Sequence, residues 1–184
     1  MVAEEAIGLV EFTSIARGIE AVDAMVKEAD VRLLAARTAC SGKYIGMVAG
    51  AVAAVKAAVE AGRERGRGHY VDHFVIPNVH PQVLQAAAGA TVLPEKAALG
   101  VVECFSLAAA INAADAAVKA APVTLLEIRL GTGIGGKGFV TLVGETAAVT
   151  AAVAAGAAEA TRRGLLVATA VIPAPYQVVL DKLI

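Results

Sequence analysis

The chain repeats itself. Ile7-Gly8-Leu9-Val10-Glu11 returns as Leu99-Gly100-Val101-Val102-Glu103, 92 residues on. At the same offset Asp23-Ala24 matches Asp115-Ala116, Val26-Lys27 matches Val118-Lys119, and Leu33-Leu34 matches Leu125-Leu126. The offset grows to 94 at Gly42-Lys43 and Gly136-Lys137, and to 96 at Val75-Ile76-Pro77 and Val171-Ile172-Pro173. Small insertions between elements are what surface loops absorb. A repeat of this length restricts the fold to one that two successive segments can both adopt. The expected domains are residues 5–90 and 97–184, joined by a linker around Ala88–Lys96 that holds Gly89 and Pro94.

Each copy carries one coarse pattern. A short apolar run, Ile7–Phe12 or Leu99–Phe105, reads as a strand. A helix follows, capped by Thr13 or Ser14 in the first copy and by Ser106 in the second. Ile15, Ile19, Val22 and Val26 recur at spacings of three and four, an apolar helical stripe. Asp30 and Pro122 mark where these helices stop. Two strands come next, Val31–Arg37 and Tyr44–Ala49, with counterparts at Val123–Leu130 and Phe139–Val143. A second helix, Ala51–Ala61 or Thr146–Thr161, precedes a last strand ending at Pro77 or Pro173. The order is βαββαβ twice. It predicts an α+β fold of ferredoxin-like type, an antiparallel sheet with both helices on one face and the other face partly exposed.

Composition enters where partners are concerned. Hydrophobic types make up 58% of the 184 residues, and 43 Ala with 18 Gly supply a third of the chain. Sixteen basic residues against seventeen acidic ones leave a net charge of −1. That balance lacks a basic nucleic-acid footprint, and the apolar content excludes a disordered chain. The longest stretch free of Asp, Glu, Lys and Arg, His73–Pro94, is broken by Pro77 and Pro81 and predicts no membrane span. Met1–Glu5 lacks the basic-then-apolar profile of a leader, so the expected location is cytoplasmic. A chain so apolar is expected to cover part of its surface with further copies of itself.

Two loops hold the candidate chemistry. Gly131-Thr132-Gly133-Ile134-Gly135-Gly136-Lys137-Gly138 satisfies both G-x-x-x-x-G-K and G-x-G-x-x-G. Those patterns bind phosphate only where the loop opens a helix. Here the β-branched, alternating run Phe139–Val143 follows, so the loop joins two strands. Cys40, in Thr38-Ala39-Cys40-Ser41-Gly42, occupies the equivalent loop of the first copy. Its thiol is read as incidental, or as a redox or metal ligand. One thiolate cannot hold a metal cluster alone, whereas three gathered on a symmetry axis could. Cys104, among Val102 and Phe105, reads as a buried small hydrophobe. His69 and His73 share a strand face in this reading, His80 stands alone, and none forms a zinc pattern. Glu11 and Glu103 are repeat mates, which suggests a structural role.

The repeated elements resemble those of the bacterial microcompartment shell-domain family. The resemblance rests on Ile7–Glu11, Asp23–Lys27, Ser41-Gly42-Lys43 and Val75-Ile76-Pro77, and on their second copies. Two unpermuted domains in one chain are similar to its tandem-domain trimers, and in particular to the propanediol-utilisation T-type. The resemblance implies a flat pseudohexameric homotrimer that tiles with other shell proteins. It implies a central pore lined by Ala39, Cys40, Ser41 and Gly42 from one copy and Gly133, Ile134 and Gly135 from the other. It implies a [4Fe–4S] cluster, one per trimer, held by three Cys40, and contacts between tiles through Lys27 and Lys119. The chain departs from the family at Asn78-Val79-His80 and Ala174-Pro175-Tyr176, where Arg-Pro-His is usual.

Three functions follow as expectations. The first is a non-enzymatic shell tile whose cluster relays electrons across the shell, with an encapsulated redox enzyme as partner. The second is a cluster-free tile whose pore passes small metabolites. The third, of another class, is a trimeric enzyme or sensor with a polar cleft.

Overall fold

The computed structural model describes residues 6–89, 97–131 and 133–180. Most of the expected linker, Thr132 and the outer limits of the expected domains lie outside the described residues.

Both copies deliver the expected order. The first holds β1 (Ala6–Phe12), α1 (Ile15–Glu28), β2 (Arg32–Ala39), β3 (Lys43–Gly50), α2 (Val52–Arg65) and β4 (Tyr70–Pro77), followed by a short α3 (Pro81–Ala87). The second holds β5 (Ala98–Cys104), α4 (Leu107–Ala120), β6 (Thr124–Leu130), β7 (Gly138–Gly144), α5 (Thr146–Arg162) and β8 (Leu166–Ile172), followed by α6 (Gln177–Leu180). Each copy forms a four-stranded antiparallel sheet, ordered β2-β3-β1-β4 and β6-β7-β5-β8. Even the irregularities repeat. Register shifts fall at Glu11/Phe12 and Glu103/Cys104, and at Leu33/Ala35 and Leu125/Glu127. Each pair is 92 residues apart, so the sequence repeat is a repeat of backbone detail.

Local chemistry sets the helix starts. The Ser14 hydroxyl accepts from the Arg17 amide, and the Ser106 hydroxyl accepts from the Ala109 amide at 2.9 Å. Each satisfies an amide that the first turn leaves without a partner. Thr13 instead donates to the carbonyl of His69. The helices close on the sheet where the strand has no side chain. A Cβ at Gly8 would meet Val59 at 2.5 Å and Val55 at 2.7 Å, both on α2. At Gly100 it would meet Val153 at 2.6 Å, on α5. In the first copy the helix-facing core gathers Val10, Phe12, Val22, Met25, Val48, Val55 and Val59.

Four details differ from the sequence reading. Along β1, Ile7, Leu9 and Glu11 are as buried as Ala6, Val10 and Phe12, so both faces of this strand are covered. His69 precedes β4, because the register shift opposite Phe12 starts that strand at Tyr70. Phe105 follows β5 and is exposed. The helices α3 and α6 were not anticipated. Pro81 takes the first helical position of α3, where its missing N–H costs nothing.

Contacts divide the chain into two compact units that cut across the repeat. One unit is Met1–Val79 with Gly131–Gly136, and the other is His80–Leu130 with Lys137–Ile184. The second-copy loop therefore belongs to the first unit, and α3 belongs to the second. In the second unit Gln82 fixes α3 to β6. Its Nε2 donates to the Val123 carbonyl at 3.3 Å, and its Oε1 accepts from the Leu125 amide at 2.8 Å. The His80 amide donates to Asp115 on α4 at 2.9 Å. Among the described residues no helix is long and apolar enough to cross a membrane.

Candidate functional site

The Cys40 loop is a hairpin connection. Cys40, Ser41 and Gly42 join β2 to β3, with Ala39 opposite Lys43. Ser41 and Gly42 adopt φ of 64° and 71°, a left-handed pair that turns the chain tightly. Glycine accepts that conformation without strain, and serine less readily. Ala39 and Cys40 are half-buried, whereas Ser41 and Gly42 are exposed.

The second-copy loop lies against this hairpin within the first unit. The Cys40 amide donates to the Gly131 carbonyl, and the Gly133 amide donates to Cys40 Sγ. Gly131, Gly133, Gly135 and Gly136 all have positive φ, which frees their amides from strand pairing. Gly133 and Gly135 are exposed, and Ile134 is half-buried. The expected loop residues Ala39–Gly42 and Gly133–Gly135 are thus brought together in one unit. Thr132 is outside the described residues.

Beneath the loops lies a contact that the sequence reading missed. Lys43 Nζ donates to Glu11 Oε1 at 2.5 Å and to the Gly136 carbonyl at 3.1 Å. Glu11 is fully buried, so its charge requires such a partner. The second copy repeats the pair as Lys137 with Glu103, there with both side chains partly exposed. The signal was available. Glu11 and Glu103 match across the repeat, and so do Lys43 and Lys137. Alternation places each pair on one sheet face only once the register of β1 with β3 is known.

The remaining candidates are held separately. Lys27 pairs with Asp23, and Lys119 with Asp115, each at 2.6 Å and four residues apart on a helix. Lys27 and Asp23 are exposed, whereas Asp115 is buried beside the His80 amide. Cys104 is fully buried at the end of β5. Burial, reinforced by the Glu103 charge, pushes its thiol up to about 11. The histidines serve the fold. Nδ1 of His80 accepts from the Gln82 amide, His73 meets the Tyr70 hydroxyl, and His69 uses its carbonyl. Among the described residues no three His, Cys, Asp or Glu side chains are grouped as metal ligands within one chain. An open cleft of about 810 Å³ at the start of α5 is lined by Glu145, Thr146, Pro173, Pro175 and Gln177 among others. Among the described residues of that lining, Glu145 is the one titratable side chain.

Known proteins resemble this chain in sequence and fold. The BMC domain model matches residues 6–79 and again 98–175. The bacterial microcompartment shell protein PduT of Citrobacter freundii is 42% identical over 173 residues, 94% of each chain. The shell protein EutM of Salmonella typhimurium is 48% identical over 80 residues, 43% of this chain and 80% of that one. A crystal structure of a microcompartment protein from Desulfitobacterium hafniense superposes with a TM-score of 0.87 at 53% identity, covering 97% of this chain and 99% of that one. The chain belongs to the BMC domain family, as a tandem two-domain shell protein of bacterial microcompartments.

Proposed function

We propose that three copies of the chain form one shell tile, a homotrimer that packs beside other shell proteins. In this reading the Cys40 hairpins meet at the three-fold axis, where three thiolates hold one [4Fe–4S] cluster. Ala39, Cys40, Ser41 and Gly42, with Gly133, Ile134 and Gly135, line the opening at that axis. Lys27 and Lys119 face neighbouring tiles.

The observation that carries the reading is the state of the Cys40 sulfur. It is a half-buried thiol at a hairpin tip, and it accepts the Gly133 amide. Hydrogen bonds to cysteine sulfur are one of the levers by which a protein sets the potential of an iron–sulfur cluster. The donor set fits one corner of a cluster per chain, and a ring of three chains supplies three soft ligands. The cluster supplies one-electron transfer when bound. The chain's own residues hold the sulfur in place. Ser41 and Gly42 turn the hairpin, Gly131 fixes the Cys40 amide, and Lys43 anchors the neighbouring loop through Gly136. The function is then electron relay across the shell, with an encapsulated redox enzyme as the partner.

Anaerobic purification with iron quantification and paramagnetic resonance tests this. The expected result is about four irons per three chains, lost in Cys40→Ser. Colourless protein after anaerobic reconstitution with iron and sulfide would overturn it. A second reading is favoured by the open space around Gly133 and Gly135. Glycine-rich backbone at such an opening suits a pore that passes small anionic metabolites. In that case Cys40→Ala changes neither colour nor assembly.

A further inference from the structure

The two lysine–glutamate pairs are not equally complete. Lys43 Nζ donates both to Glu11 and to the carbonyl of Gly136, in the loop that lies against its hairpin. Among the described residues Lys137 donates to Glu103 alone. The repeat turns one set into the other. Glu11 matches Glu103, Lys43 matches Lys137, and Gly136 matches Gly42. A bond from Lys137 to a Gly42 carbonyl is the one member lacking, and an ammonium has donors left for it. Burial shows the same gap. The Lys43 and Glu11 side chains are 14% and 0% exposed, and those of Lys137 and Glu103 are 40% and 30% exposed. A Cβ at Gly136 would meet Ser41 Oγ at 3.1 Å and Lys43 Cε at 3.3 Å, whereas one at Gly42 would meet nothing within 4 Å. Gly42 and Gly136 share a left-handed φ, 71° and 80°, so both carbonyls belong to the same kind of turn. The chain thus carries one closed contact of lysine with loop, together with both halves of a second, open one.

We infer that Lys137 of one copy of the chain donates to the Gly42 carbonyl of the next, and so positions the Cys40 hairpin of its neighbour. This deepens the cluster site proposed above and rests on the trimer. In a ring of three two-domain chains, each first domain is followed by a second, and each second by the partner's first. The contact made inside the chain, from Lys43 to Gly136, then recurs between chains, from Lys137 to Gly42. Donor and acceptor are different parts of the surface, so the contact is head-to-tail and ends only when the ring closes. Gly42 follows Cys40 by two residues. The partner's Lys137 therefore has two effects there. It adds a further hold on a hairpin whose Cys40 is already bonded by Gly131 and Gly133. It also brings one positive charge near each thiolate, and positive charge favours the more negative, reduced state of a cluster. Lys137 touches neither sulfur nor iron in this assignment. It is a positioning residue, supplied to each site by the neighbouring copy.

The test compares the full-length protein with Lys137→Met and Lys137→Arg. Masses across a concentration series, by sedimentation or native mass spectrometry, give the concentration at which the trimer dissociates. A redox titration of the iron-loaded protein gives the balance of oxidised and reduced cluster. One charge-assisted hydrogen bond is worth about tenfold in an equilibrium, and a departing chain breaks two. Lys137→Met is therefore expected to raise the dissociation concentration about a hundredfold. It is expected to shift the loaded protein about tenfold toward the oxidised cluster. Circular dichroism and the urea midpoint of the dissociated chain stay unchanged. Lys137→Arg keeps the charge and the donors and is expected to restore both readings. A trimer and a redox balance that Lys137→Met leaves unmoved would overturn the contact and leave the trimer standing. A trimer that Lys137→Met weakens, but whose wild type takes up no iron, would support the contact and overturn the cluster. A wild-type chain that stays monomeric throughout would overturn contact and trimer together.

Discussion

Two lysines show how much a residue's role depends on what surrounds it. Lys43 and Lys137 match across the repeat and each pairs with a glutamate. Glu11 is fully buried, whereas Glu103 and Lys137 reach solvent. Removing one partner of a buried pair leaves a charge in low dielectric at a cost of about 3 kcal/mol. An exposed pair is worth about 1 kcal/mol or less. Lys43→Met is therefore expected to lower the urea midpoint clearly, and Lys137→Met hardly at all. Equal losses would sink the distinction. Cys40 and Cys104 part in the same way. The thiols differ by neighbourhood, and burial was readable for Cys104 because Val102 and Phe105 flank it. The Gly133 amide on the Cys40 sulfur was not readable. That contact joins residues 93 apart through backbone, which carries no residue-type signal.

At the scale of elements, eight strands and four long helices were legible from apolar spacing and caps. The repeat doubled every signal, so a weak strand in one copy was supported by its mate. The short helices α3 and α6 escaped because neither has enough turns to show a period. Pro81 followed by Val83 and Ala86 was the available hint. Burial of both β1 faces escaped for another reason. Its sequence, Ala6–Phe12, is apolar throughout except at Glu11, and alternation cannot report a face when both are apolar. The glycines inside β1 and β5 were quoted as repeat markers, and the structure gives them a physical task. Gly8→Val and Gly100→Val would push α2 and α5 off their strands, since each new side chain starts within 2.7 Å of a valine already in place. Overpacking of this kind costs about 1–3 kcal/mol. Both variants are expected to melt several degrees lower with unchanged helix content. A melting point that did not move would mean that the helices have room to shift.

At the scale of the whole molecule, Lys27 and Lys119 would separate two levels of association in the proposed tile. Lys27 sits in a helix pair with Asp23 that is exposed and worth a few tenths of a kcal/mol, whereas Lys119 partners the buried Asp115. Loss of Lys27 therefore leaves the chain folded. Lys27→Glu is expected to keep the proposed trimer in solution and to abolish extended sheets in electron micrographs. Sheets that persist would remove Lys27 from the edge. In the proposed trimer, the two unlike faces by which each copy meets its neighbours act at the lower level. A chain damaged on one of these faces keeps the other intact. It can still enter a ring, occupy a place and leave the circle open behind it. Assembly then becomes a matter of dosage, in which one faulty copy withdraws two sound ones from the shell.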